Sequence, residues 1–215
     1  MKIVVSAAEV AQNLAEYLII DARSREEFDA SHIMGAVHLP GNPHLKNDNV
    51  VISQKEFADV MSKIGADASS KILVYDDGNG RSPARFWVVA HHYGHRNVHI
   101  LDGGWPAAAL PKSNTPRDIA PTSYTADSAD GYITTTGQIL DNFDKIKLLD
   151  VRTLDEYEGR NLVDNPRGGH IQGAINIDFT RLMMPDDNEY FIPHDDIHAI
   201  MAAAGISKED ALVCY

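Results

Sequence analysis

Residues Leu18–Leu39 read LIIDARSREEFDASHIMGAVHL, and residues Leu148–Ile177 read LLDVRTLDEYEGRNLVDNPRGGHIQGAINI. These are two versions of one passage. Asp21, Arg23 and Phe28 answer Asp150, Arg152 and Tyr157 at a constant offset of 129 residues. His32, Gly35 and Ala36 answer His170, Gly173 and Ala174 at 138. The nine extra residues fall among Glu158–Gly169, a Gly/Asn/Pro/Arg-rich stretch that reads as a loop. Farther on, QKEFADVMSKIGADASSKILVY (54–75) answers HDDIHAIMAAAGISKEDALVCY (194–215), pairing Met61 with Met201, Gly65 with Gly205 and Tyr75 with Tyr215 at 140. Three ordered blocks with small drifts in offset identify a duplication.

The local grammar is the same in both copies. Leu18–Asp21 and Leu148–Val151 are short apolar runs of the kind that form buried strands. Ser24 and Thr153 then stand as N-caps, with Glu27 and Glu156 three residues on as capping-box acids. The HIxGA step turns the chain into short strands at Ala36–Leu39 and Ala174–Ile177. In the first copy, Phe57, Val60, Met61 and Ile64 have helical spacing, with Gly65 at the helix end. Ile72–Tyr75 and Val98–Leu101 read as strands, and Ser82–Tyr93 as the helix between them. Alternating strands and helices predict an α/β fold in two tandem units, each a mainly parallel sheet flanked by helices. The expected boundaries are 1–110 for the first domain, 111–130 for a proline-containing linker and 131–215 for the second domain.

Composition narrows the function. The chain of 215 residues is 44% hydrophobic, enough for a buried core, and its formal charge of −12 disfavours nucleic acid and anionic membranes as partners. No apolar run approaches the about 18–20 residues of a membrane span, and the N-terminus lacks a cleavage signature, so a cytoplasmic protein is expected. The single cysteine, Cys214, cannot form an internal disulfide, and there is no Cys-x-x-Cys pair for a zinc finger.

In the first copy the strand ending at Tyr75 runs into DDGNGRSPARFW (76–87). A glycine-rich turn from a strand end to a helix start aims several backbone N–H groups at one point, which makes an anion cradle.

D-x-R-x-x-x-E-F, then HIxGA, then VYD, then GHRNVHILDGGW in that order resembles the rhodanese family of sulfurtransferases. The likeness covers Leu18 to Trp105 and Leu148 to Tyr215. It implies a tandem rhodanese with a degenerate first domain, and a catalytic cysteine directly after the V-x-Y strand of the second. Asp76 holds that position in the first copy. A carboxylate cannot accept a sulfane sulfur, so the first domain is expected to be inactive. The matching position of the second copy follows Tyr215, so the 215 residues are expected to lack the active-site loop and the nucleophile, to form an incomplete second domain, and to be inactive. Cys214 aligns with Val74 and is expected to be a buried strand residue.

The resemblance further implies transfer of a sulfane sulfur from thiosulfate, or a related anionic donor, through a cysteine persulfide to cyanide or a thiol, with no cofactor. It makes Arg167 the first candidate for holding the donor anion and Arg160 the second. Members specialised for mercaptopyruvate carry an arginine where this chain has Glu156, which argues against that donor. A catalytically silent binding or regulatory module is the alternative. A dual-specificity phosphatase is disfavoured, because Asp76 to Arg81 spans six residues and that class uses a longer loop. Asp21–Arg23, Asp150–Arg152, His32 and His170 recur in both copies and therefore read as structural. His91, His92, His95 and His99 run from a helix through a turn into a strand and do not form a plausible metal site.

Overall fold

A computed structural model describes residues 2–39, 45–47, 50–128, 131–184 and 191–215. By internal contacts the chain divides into two compact units, one reaching Ile133 and one starting at Thr134.

In the first unit, β1 (Val4–Val5), α1 (Ala7–Ala11), β2 (Tyr17–Asp21), α2 (Arg25–Ala30), β3 (His32–Ile33) and β4 (Val37–His38) come in order. They are followed by β5 (Lys46–Asn47), β6 (Val50–Val51), α3 (Gln54–Lys63), β7 (Lys71–Tyr75), α4 (Arg81–His92), β8 (Val98–Leu101), α5 (Gly104–Ala107) and β9 (Lys112–Ser113). Five strands form a parallel sheet in the order β1-β8-β7-β2-β4. Successive side chains of a strand point to opposite faces, and both faces here are covered. Leu18, Ile20, Ile72 and Val74 pack with Phe57 and Met61 of α3 and Phe86 and Val89 of α4. Tyr17, Ile19, Leu73 and Tyr75 pack with Val10 of α1 and Phe28 of α2. Burying each such side chain contributes about 1.5–3 kcal/mol.

The second unit contains α6 (Thr136–Asp141), β10 (Lys147–Asp150), α7 (Leu154–Tyr157), β11 (Ile175–Asn176), α8 (His194–Ala203) and β12 (Leu212–Cys214). Its three parallel strands lie in the order β11-β10-β12. Leu149, Ile177 and Ile206 pack with Ile200 and Met201 of α8, the counterpart of the α3 face in the first unit.

The capping boxes form as the sequence predicts at Ser24–Glu27 and Thr153–Glu156. Three more boxes form: Ser53–Glu56 begins α3, while Ser6–Glu9 begins α1 and Thr135–Gln138 begins α6, these last two again 129 residues apart. The duplication therefore starts earlier than Leu18.

The segment expected to be a linker is laid along the first unit over its described part; Ala129 and Asp130 lie outside the described residues. Lys112–Ser113 pairs antiparallel with β3. Thr122 N–H donates to Ser62 O at 3.0 Å, and Asp127 N–H donates to Tyr93 O at 3.2 Å. Buried Tyr124 meets the Phe57 ring edge-on. Its three prolines leave it only the two-residue strand β9 without preventing packing, and its apolar residues fill the α3–α4 face.

Candidate active site

Each unit builds the C-terminal end of its central strand from the same hub. In the first, Arg23 Nε and Nη2 donate to the Asp21 carboxylate at 3.0 and 2.6 Å, and Nη2 also donates to Ser31 O at 2.7 Å. Tyr75 hydroxyl donates to Asp21 Oδ2 and accepts the Ile33 N–H at 3.1 Å. In the second, Arg152 Nε and Nη2 donate to Asp150 at 3.0 and 2.6 Å, and Nη2 donates to Gly169 O at 2.9 Å. Tyr215 hydroxyl accepts the Ile171 N–H at 3.0 Å. Burial pushes Arg23 down, but its bonds and charge contact with Asp21 outweigh this and leave its pKa raised. Burial alone would raise Asp150; the hydrogen bonds from Arg152 reverse that and hold it below the usual carboxylate range.

The histidines follow the same plan. His32 Nδ1 donates to Phe28 O at 2.7 Å and its ring stacks on Phe28 at 4.0 Å. His170 Nδ1 donates to Tyr157 O at 2.8 Å and its ring stacks on Tyr157 at 3.6 Å. Both serve as braces for the HIxGA turn, whose glycines Gly35 and Gly173 have φ of 81° and 82°.

Beyond Tyr75 the first unit forms the cradle. Asp76 is buried, and its Oδ1 accepts the N–H groups of Gly78 at 3.0 Å and Gly80 at 3.3 Å. Gly80 caps α4 in the left-handed region, φ 70°. Trp105 N–H donates to Asp76 O at 2.8 Å, and its indole lies between Arg23 at 4.0 Å and Lys112 at 4.2 Å. The loop N–H groups thus converge on an anion as the sequence predicts, but the anion is the protein's own carboxylate.

In the second unit the register repeats. Leu149 pairs with Cys214, and Val151 N–H donates to Tyr215 O at 3.2 Å, as Ala22 N–H does to Tyr75 O at 2.9 Å. The carbonyl and phenol of Tyr215 therefore take the places of those of Tyr75. Cys214 differs from expectation: it is exposed, not buried. Among the described residues β12 is an edge strand, paired only with β10, whereas β7 lies between β2 and β8. Partial desolvation still raises the thiol pKa above its ordinary value.

The candidate arginines are separated by their partners. Arg160 donates to Asp155 Oδ1 at 2.6 Å and pairs with Glu158. Arg167 is exposed and makes no hydrogen bond or ion pair among the described residues. Glu156 is turned onto the start of α7, accepting Thr153 N–H at 3.1 Å and Oγ1 at 2.6 Å. The histidines of the run from α4 into β8 point to separate partners: His91 to Trp87 O, His95 to Ser70 O and Tyr124, His99 to Lys2 O, and His92 against the Tyr93 ring. No group of three potential metal ligands occurs among the described residues.

The family pattern of the rhodanese-like domain matches residues 6–109 and 135–215, beginning at the two capping boxes Ser6 and Thr135. The chain belongs to the rhodanese-like domain family. It is 27% identical over 229 residues to "Putative thiosulfate sulfurtransferase 1" of Mycobacterium bovis, spanning 99% of this chain and 82% of that protein. It is 29% identical over 179 residues to the 3-mercaptopyruvate sulfurtransferase of Rattus norvegicus, spanning 77% of this chain and 60% of that one. Its fold matches the crystal structure of SseA from Escherichia coli, reported under 3-mercaptopyruvate sulfotransferases, with a TM-score of 0.83, 23% identity and coverage of 100% and 88%. No helix of the described residues is long and apolar enough to cross a membrane.

Proposed function

We propose that the protein is a sulfurtransferase whose chemistry belongs to the second rhodanese unit. The observation that carries the reading is the equivalence of Tyr215 and Tyr75 in backbone register and phenol bonding, which gives the residue after Tyr215 the place of Asp76. A cysteine there would lie where a loop of backbone N–H groups and a helix start converge, and these favour the thiolate. The thiolate attacks the outer sulfur of thiosulfate, the S–S bond breaks with its electron pair leaving on sulfite, and a persulfide remains. Cyanide or a thiol then attacks the persulfide sulfur and regenerates the thiolate. The chemistry needs no metal or organic cofactor.

Arg167 is the residue we assign to the donor anion. Arg160 is a weaker candidate, because Asp155 and Glu158 already neutralise it. Thiosulfate is favoured over mercaptopyruvate because Glu156 stands where members specialised for mercaptopyruvate carry an arginine, and a carboxylate bonded to Thr153 offers no cation to a pyruvate carboxylate. The domain limits that accompany this reading are 1–110 and 131–215, joined by 111–130, in a cytoplasmic protein.

The protein expressed from its complete gene, mixed with thiosulfate and cyanide, is expected to form thiocyanate, and replacing the residue after Tyr215 should abolish it. A gene without cysteine at that position would sink the enzymatic reading. The alternative, a silent binding module, is favoured by one observation: the cradle of the first unit is filled by Asp76. Turnover by the intact protein would exclude it.

A further inference from the structure

Arg160 and Arg167 are the first and last residues of a loop whose neck is bare backbone. There Gly159 crosses Gly168 and Gly169. A Cβ on Gly159 would stand 2.7 Å from the Gly169 nitrogen and 3.2 Å from the Gly168 carbonyl carbon. A Cβ on Gly168 would stand 2.9 Å from both the Cα and the carbonyl oxygen of Gly159. Backbone atoms cannot yield as a flexible side chain can, so any other residue must open the neck. Gly159 has a second reason to be glycine, its φ of 78°, whereas Gly168 is held to glycine by crowding, against the Gly159 backbone and against Leu162 Cδ2 at 2.9 Å.

The loop closed by this neck has a set shape. Arg160 and Asn161 N–H both donate to Asp155 O, at 2.8 and 3.0 Å, and Asn165 N–H donates to Leu162 O at 2.8 Å. Val163 and Asp164 hold φ of 42° and 63°, a strain that persists only where surrounding bonds over-determine it. On the far side the crossing leads directly into the hub, through Gly169 O on Arg152 and Ile171 N–H on Tyr215.

We propose that the crossing of Gly159 with Gly168 is a positioning device that fixes Arg167 beside the hub and so determines binding of the anionic sulfur donor. The proposal rests on the sulfurtransferase reading above. Arg160 cannot share the task while it is paired with Asp155 and Glu158, whereas Arg167 has no ion pair among the described residues. A neck opened by a methyl group would let Arg167 swing, lowering donor affinity without touching the reacting sulfur.

The test uses the protein from its complete gene and its Gly168→Ala, Gly159→Ala, Arg167→Ala and Gly205→Ala variants. Gly205 has φ 76° with nothing within 4 Å of a Cβ, so it carries the backbone strain without the crossing. Thiosulfate Kd is read by calorimetry, KM and kcat by thiocyanate formation, and folding by circular dichroism. Gly168→Ala and Arg167→Ala are each expected to raise Kd and KM about tenfold with kcat nearly unchanged, while Gly205→Ala moves neither. If Gly159→Ala fails to fold, Gly168→Ala decides. A folded Gly168→Ala with unchanged thiosulfate affinity, beside a weakened Arg167→Ala, overturns the role of the crossing and leaves the functional reading standing. Loss of kcat with affinity unchanged also overturns it, as does an Arg167→Ala that binds normally. A wild-type protein that neither binds nor turns over thiosulfate overturns the functional reading itself.

Discussion

The phenol oxygen of Tyr215 accepts the backbone N–H of Ile171 at 3.0 Å, tying the end of β12 to the turn that follows the nine-residue insertion. Tyr75 and Ile33 make the same bond at 3.1 Å in the first unit, and each phenol also bonds the aspartate of its hub, Asp21 or Asp150, but Tyr75 is fully buried whereas Tyr215 is only partly so. Removing the hydroxyl should therefore cost more in the first unit. Tyr75→Phe leaves a buried N–H and a buried carboxylate each short of a partner, for about 2–3 kcal/mol; Tyr215→Phe should cost about 1 kcal/mol. Chemical denaturation of the two variants checks the order.

Asp76 fills the first cradle, and a carboxylate cannot accept a sulfane sulfur. Asp76→Ala should destabilise the first unit by about 1–2 kcal/mol through the lost Gly78 and Gly80 bonds, and Asp76→Asn by less because an acceptor oxygen remains. Neither should alter thiocyanate formation by the intact protein. A fall in kcat with Asp76→Asn would place the first unit in the reaction.

Cys214 is exposed but its thiol pKa is raised by partial desolvation. Iodoacetamide should label it slowly at neutral pH and much faster as pH rises past the ordinary thiol value of about 8.5. Cys214→Ser should retain sulfur transfer. Loss of activity in that variant would overturn the alignment of Cys214 with Val74.

Acid should weaken the first unit. Desolvation lowers the pKa of His91, His95 and His99, against the opposing pull of their carbonyl bonds. The unfolded chain then binds more protons than the folded one, so the stability these neutral histidines allow is present above about pH 6.5 and is lost as pH falls below it. Both tryptophans of the 215 residues, Trp87 and Trp105, lie in this unit, so the fluorescence of the 215-residue chain follows the unfolding of the first unit. The melting temperature read this way should drop between about pH 7 and pH 5, and a flat profile would count against the histidines.

The sequence by itself determined the duplication, the α/β layering and the parallel strands, because each is written in local signals: apolar runs, capping pairs and glycines at fixed offsets. The repeat begins with a local signal too, since Ser6–Glu9 and Thr135–Gln138 carry the same capping pair 129 residues apart. Only the tertiary structure decided which of two exposed loop arginines is already paired, since Arg160 finds Asp155 and Glu158 across a turn while Arg167 does not. It also decided that the proline-rich segment packs against α3, that Cys214 lies on an edge strand among the described residues, and that Gly159 and Gly168 touch. A residue's charge and size are readable one position at a time. Its partner and its strand's neighbours come from contacts between distant positions, which no local pattern records.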